Sequence, residues 1–108
     1  MSYSIRTISV FEKQTRRLSR KYPSLKNELL LLVDSLKKNP QQGQSLGNNC
    51  FKIRLAIKSK GKGKSGGARL ITHLMIADKI VYLLSIYDKS EKADLSPGEL
   101  KLILSEII

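Results

Sequence analysis

Tryptophan is absent from this chain, histidine and cysteine occur once each, and acidic residues number 9 against 20 basic ones. With Cys50 alone, no internal disulfide can form; that fits a reducing compartment, and a cytoplasmic location is expected. One histidine and one cysteine do not make a metal site, so neither a metal nor another cofactor is expected. His73, between Thr72 and Leu74, reads as a partly buried, hydrogen-bonded residue, and Cys50 as a packing residue at a strand start. No apolar run approaches the ~20 residues needed to cross a bilayer; the longest, Leu29 to Val33, sits inside a helical pattern. Residues Met1 to Val10 alternate polar and apolar and carry no signal-peptide core. Paired carboxylates, a nucleophile elbow and a dinucleotide fingerprint are also missing. Whatever chemistry the chain performs must run on lysine, arginine and tyrosine.

What is present is positive charge, unevenly laid out. The net charge is +11. From Ser35 to Ala77 there is no Asp or Glu, while nine Lys and Arg fall in the same stretch, and six of the nine acids follow it. Segregation of this kind makes a positive field over one surface, which concentrates polyanions and speeds their capture. An ordinary solvated surface is the plainer alternative. A membrane-surface helix is disfavoured because the basic cluster is not on an amphipathic helix.

The 108 residues support one domain spanning 1–108, in which folding buries roughly 65% of the chain's surface. Residues 3–8 alternate and are rich in β-formers, which predicts a first strand. Ser9 and Glu12 have the spacing of a capping box, and Phe11, Thr15, Leu18 and Tyr22 mark one face of a helix, with Arg16, Arg17, Arg20 and Lys21 mostly off it. Pro23 breaks that helix and Ser24 is placed to cap the next. Leu25, Leu29, Leu32 and Leu36 repeat the interval, with Leu30 and Val33 widening the stripe, and Asn39-Pro40 closes it. The two helices make a hairpin predicted to cover one face of a sheet. Residues 41–49 read as a loop; 50–58, 68–77 and 79–88 read as strands of an antiparallel meander, turning at Asp78-Lys79. Both faces of the last two strands are largely apolar, so the second face needs a partial cover. Ser96-Pro97-Gly98-Glu99 opens a terminal helix with an N-cap, a first-turn proline and a capping-box glutamate, whose Leu100, Ile103, Leu104 and Ile107 supply that cover. The fold class expected is α+β.

Alternate residues of a strand share a face, so Ile53, Leu55 and Ile57 are predicted to face the hairpin while Lys52, Arg54, Ala56 and Lys58 point the other way. Cations two residues apart lie about 7 Å from one another, a spacing suited to successive phosphates. Arg69 opens the next strand, and Tyr87 and Lys89 share a face at the end of the last one. The connecting loop from Lys60 to Gly67 contains Gly-Lys-Ser, but a phosphate-binding P-loop would need glycine where Lys58 stands and a helix where a strand is expected. Lys60, Lys62 and Lys64 are better read as point charges that reach across a phosphate backbone. The target is most simply RNA. Cleaving it requires the 2′-OH to attack the adjacent phosphorus and the developing charge to be stabilised. Arginines do not titrate and would clamp the phosphate. A lysine crowded by cations would move towards a general base, about one pKa unit for each ~1.4 kcal/mol of repulsion.

The run from Phe51 to Arg69 (FKIRLAIKSKGKGKSGGAR), followed by Leu83 to Lys89 (LLSIYDK) and Asp94-Leu95, resembles the RelE/HigB family of bacterial toxin–antitoxin ribonucleases, and the lysine–glycine loop ending in Ser-Gly-Gly-Ala-Arg resembles the HigB-like branch. The resemblance covers most of the chain. It implies a RelE-like fold, with a small antiparallel sheet, an N-terminal helical hairpin on one face and a C-terminal helix. It also implies a ribosome-dependent, metal-independent mRNA endoribonuclease that inhibits translation, with mRNA, ribosomal RNA and a cognate antitoxin as partners. Lys52, Arg54, Arg69 and Lys89 match the family's basic catalytic positions, with Lys58, Lys60, Lys62 and Lys64 as RNA contacts. Some members carry a tyrosine at the start of the final helical segment; here that position is near Leu95, and Tyr87 is the nearest substitute. A gyrase-inhibiting toxin of the ParE type and a non-catalytic basic RNA-binding module are the alternatives.

Overall fold

A computed structural model describes residues 2–61 and 66–107. The elements run β1 (Ser4–Thr7), α1 (Ser9–Lys21), α2 (Leu25–Lys38), β2 (Gln44–Gly47), β3 (Cys50–Leu55), a single 3₁₀ turn (Lys58–Lys60), β4 (Ala68–Met75), β5 (Ile80–Asp88) and α3 (Pro97–Leu104). The α+β class expected from the sequence is the class observed, and the strands form one sheet in the order β1-β5-β4-β3-β2.

The sheet is not wholly antiparallel. β1 runs parallel to β5, with Ile5 opposite Val81 and Thr7 opposite Leu83. The α1–α2 hairpin is the crossover that a parallel pair requires, and Tyr3 N–H donates to the Lys37 carbonyl at 2.9 Å, tying the entry of β1 to the end of α2. Residues 41–49, expected to be a loop, contain β2, which pairs antiparallel with β3. The hairpin turns on Asn48 and Asn49 at φ +52° and +58°, two successive left-handed residues of the kind that match the twist of a two-residue hairpin.

Two expected helix caps do not form. Ile8, not Ser9, is the N-cap of α1 and makes no side-chain cap, because Glu12 instead accepts from the Thr7 hydroxyl at 2.5 Å. Ser24 precedes α2 in a helical conformation without capping it; its hydroxyl meets Glu28 and Ser59. The predicted cap of α3 is present in full, with Ser96 and Glu99 each bonded to the other's backbone N–H.

The core lies between the helical hairpin and the sheet. Phe11 and Leu18 from α1, Tyr22 at its C-cap, and Leu25, Leu29 and Leu36 from α2 are buried against Ile53, Leu70, Val81 and Ile86. Leu30 does not widen the α2 stripe: it is 61% exposed, like its neighbour Leu31. β4 and β5 are buried on both faces, and the second face is partly covered by Leu95 and by Leu100, Ile103 and Leu104 of α3. Ile71 pairs with Ser85 and Thr72 with Leu83, so Leu84 is an extra residue in β5, a bulge of the sort that re-aims the strand beyond it.

Candidate nucleic-acid interface

The sheet register builds the site. Arg54 lies directly opposite Arg69 across β3 and β4, and Arg69 directly opposite Tyr87 across β4 and β5. The row one residue away, Ile53–Leu70–Ile86, is packed in the core, so the Arg54–Arg69–Tyr87 row belongs to the face turned from the hairpin. Lys52 stands two residues before Arg54 on the same face, in register with Ile71 and Ser85. Like charges directly opposite one another destabilise a sheet. Two arginines paired in register set positive charge where a bound anion is favoured.

The environments of these groups differ. Arg54 is exposed. Arg69 is only 5% exposed, and its Nη1 donates to the Ala68 carbonyl at 3.1 Å. Asp94, just before α3, joins two of the predicted site residues: its Oδ1 accepts from the Tyr87 hydroxyl at 3.1 Å and from the Lys52 ammonium at 3.3 Å. Burial first, then the bond to Asp94, pushes the Tyr87 hydroxyl up to about 12, so it stays protonated across the physiological range and keeps a proton to donate. The Asp94 carboxyl is held below its ordinary value by the Leu95 N–H, and then by Lys52 and Tyr87. The charge nearest to Lys52 is therefore an anion. The crowding by cations that a lysine base requires is not the arrangement found.

The other predicted residues fall outside this row. β3 ends at Leu55 and Ile57 is fully buried, so Lys58 is not in line with Lys52 and Arg54. It opens the 3₁₀ turn, exposed, with its backbone N–H on Glu28. Lys58, Lys52 and Arg54 share instead the rim of a groove of about 660 Å³ between α2 and the outer edge of β3, floored by Leu32, Ile53 and Leu55. Lys89 lies past the end of β5 with its ammonium on the Ala93 carbonyl at 3.2 Å. Lys60 is not a free phosphate contact: its side chain is 9% exposed and ion-paired to the fully buried Asp88. Lys62 and Lys64 lie outside the described residues.

Cys50 and His73 are cross-strand partners in which Sγ and Nδ1 stand 3.4 Å apart. Burial pushes the thiol up to about 11 and the imidazole down, the latter opposed by a bond with the Asn48 backbone. Both are held neutral as packing residues, as expected. Asp94 and Asp88 stand in the runs that carry the resemblance, but sequence reasoning gave neither a role in the site. Asp94 stands two residues ahead of the capping serine and reads as an ordinary loop acid; Asp88 was legible only as the one acid ending an otherwise uncharged strand.

The class of protein that this arrangement defines is set by comparison. A profile described as the RelE toxin of the RelE/RelB toxin–antitoxin system matches residues 8–106, and the chain belongs to the RelE toxin family. The fold is shared with a double arginine-to-alanine mutant of Escherichia coli toxin RelE in the free state, at a TM-score of 0.67 and 16% identity over 100% of both chains. The same mutant in complex with an antitoxin RelBc peptide matches at TM-score 0.62 and 17% identity, over 100% of this chain and 96% of that one. The Mycobacterium tuberculosis RelBE2 toxin–antitoxin complex matches at 0.60 and 14%, over 82% of this chain and 99% of that one.

Proposed function

We propose that this chain is an endoribonuclease toxin, of the HigB-like branch, that cuts mRNA on the ribosome without a metal and is silenced by a cognate antitoxin. The single observation that carries this reading is the cross-strand row Arg54–Arg69–Tyr87 with Lys52 beside it. It supplies two non-titrating cations for a phosphodiester, one further ammonium and one protonated hydroxyl. When a ribose 2′-hydroxyl gives up its proton to solvent and its oxygen attacks the adjacent phosphorus, the bond to the 5′-oxygen breaks and a 2′,3′-cyclic phosphate and a 5′-hydroxyl form. Arg54 and Arg69 stabilise the charge gathering on the non-bridging oxygens. Tyr87, kept protonated by burial, can give a proton to the departing 5′-oxygen, and Lys52 holds the phosphate once the anion displaces Asp94. Lys58, Lys89, Lys62 and Lys64 extend the interface along the RNA backbone. The structural relatives in complex with RelB-type antitoxins support an antitoxin as partner.

The test is translation of a defined mRNA with the purified protein, with cuts mapped by primer extension. Arg54→Ala and Arg69→Gln should each lower the cleavage rate about 10²–10³-fold, the usual loss on removing one such donor. Glutamine is chosen at position 69 because that side chain is buried. Undiminished cutting by both variants, with their melting curves unchanged, or no cut by the wild-type protein, would overturn the reading.

A further inference from the structure

The interface above leaves a second cationic surface unused. On α1, Lys13, Arg16 and Arg20 recur at intervals of three and four, so they form one ridge along the helix with neighbouring Cβ atoms about 5–6 Å apart. At 100° per residue this ridge lies opposite Phe11 and Leu18, the buried residues of α1, and all three cations are exposed. None of them forms an ion pair among the described residues. The carboxylates at the ridge's margins are engaged elsewhere: Glu12 accepts from Thr7, and Glu91 takes Arg17 at 2.8 Å and Lys21 at 3.2 Å. Ser9 continues the ridge at its N-terminal end, and no apolar side chain interrupts it.

We propose that this α1 ridge docks the phosphate backbone of double-helical RNA, at a surface separate from the Arg54–Arg69 row. A helix fixes its cations at constant spacing, which suits a duplex, whose phosphates are also fixed; the flatter strand face suits an extended single strand. An acidic protein is the other polyanion that could sit here. Protein interfaces, however, draw their affinity from buried aromatic and aliphatic anchors, and the ridge offers none. Two of its three members are arginines, whose planar forks match phosphate oxygens. The inference extends the RNA reading above, but its measurement requires no cleavage.

The experiment compares the wild-type protein with the triple variant Lys13→Gln/Arg16→Gln/Arg20→Gln. Binding to a 20-base-pair RNA duplex of mixed sequence and to poly-L-glutamate is measured between 50 and 200 mM salt. The variant should bind the duplex more weakly, with a log–log salt slope shallower by roughly 0.7–0.9 for each phosphate that is no longer neutralised. Lys101→Gln, an exposed cation on α3 outside both surfaces, should leave that slope unchanged. Melting curves of wild type and variant should coincide. If the variant keeps the wild-type duplex affinity and slope, the ridge is solvated surface and the proposal fails. If duplex binding is unchanged while polyglutamate binding falls, the ridge takes an acidic protein and the proposal is equally overturned. Failure of mRNA cleavage alone would count against the proposed enzyme and not against this surface.

Discussion

Asp88 is the residue on which the base of the lysine-rich loop rests. Its side chain is fully buried, and it accepts from the Tyr22 hydroxyl at 2.5 Å, from the Ser90 N–H at 2.9 Å and from the Ser90 hydroxyl at 2.7 Å, besides pairing with Lys60. Burial by itself pushes this carboxyl up, but the Lys60, Tyr22 and Ser90 donors outweigh it and hold the group well below the ordinary carboxylate range. A folded-state pKa below the unfolded one means that the native state binds fewer protons. The stabilisation is therefore complete above the unfolded value near ~3.9 and is lost as pH falls through the folded value. Lys60→Ala strands a buried anion, and breaking such a pair typically costs about 3–5 kcal/mol; the slight exposure of the lysine places the expected loss at the lower end. Urea unfolding at pH 7 should show this loss, and the gap between wild type and Asp88→Asn should narrow as the pH drops below 4. A Lys60→Ala protein of wild-type stability but weakened RNA binding would return Lys60 to the surface role that its loop position suggested.

At the scale of elements, the alignment of Arg54 with Arg69 depends on how closely β3 and β4 approach at the loop end. Gly67 sits there with its carbonyl accepting the Lys89 N–H at 3.0 Å, and a Cβ on it would lie 2.1 Å from the Leu55 carbonyl oxygen. That oxygen belongs to the backbone, so Gly67→Ala must push the strands apart one residue from the Ala68–Leu55 pair. The expected cost is about 1–3 kcal/mol, as for an overpacked core. Cleavage in the remaining folded fraction should fall as well, because the Arg54–Arg69 register is displaced; a denaturant midpoint measured beside the primer-extension assay separates the two effects. Periodicity made α1, α2 and α3 legible in the sequence, since each turns an apolar stripe inward, while β4 and β5 were legible as near-continuous apolar runs, as strands covered on both faces are. β2 has no such stripe: Gln44–Gly47 is exposed throughout, and only the Asn48-Asn49 turn signalled it. The parallel pairing of β1 with β5 follows from a crossover that local pattern does not register. The cations of the candidate site were readable as a set because β3 alternates, whereas the partners that sort them were not. Asp94 and Asp88 reach Lys52 and Lys60 across 42 and 28 residues of sequence.

Over the whole molecule, the acids of the C-terminal third are largely committed to internal pairs: Asp88 with Lys60, Glu91 with Arg17 and Lys21, Asp94 with Lys52, and Glu99 with Lys92. The excess charge is thereby left to particular surfaces, and stability is spread unevenly to match. β4 and β5 are sealed on both sides and carry the centre of the core. α3 has no fully buried residue, its Leu102 is 73% exposed, and it is held by its capping box and the Lys92–Glu99 pair. A cap of this kind is worth about 1 kcal/mol and an exposed ion pair about 0–1 kcal/mol, while an isolated helix of 8 residues is far below the length that is stable in water. Local opening of α3 should therefore cost much less than global unfolding. Native-state hydrogen exchange of the full chain is expected to show the amides of Leu100 to Leu104 exchanging by local fluctuation, insensitive to low denaturant, while those of Leu70 to Leu74 and Val81 to Ile86 exchange only with global unfolding. Ser96→Ala, which removes the cap, should speed exchange in α3 alone. If α3 amides instead shared the protection of β4 and β5, the helix would have to be bound by more than the partial burial of Leu100, Ile103 and Leu104, and Asp94 would be fixed over Lys52 and Tyr87 as firmly as the sheet itself.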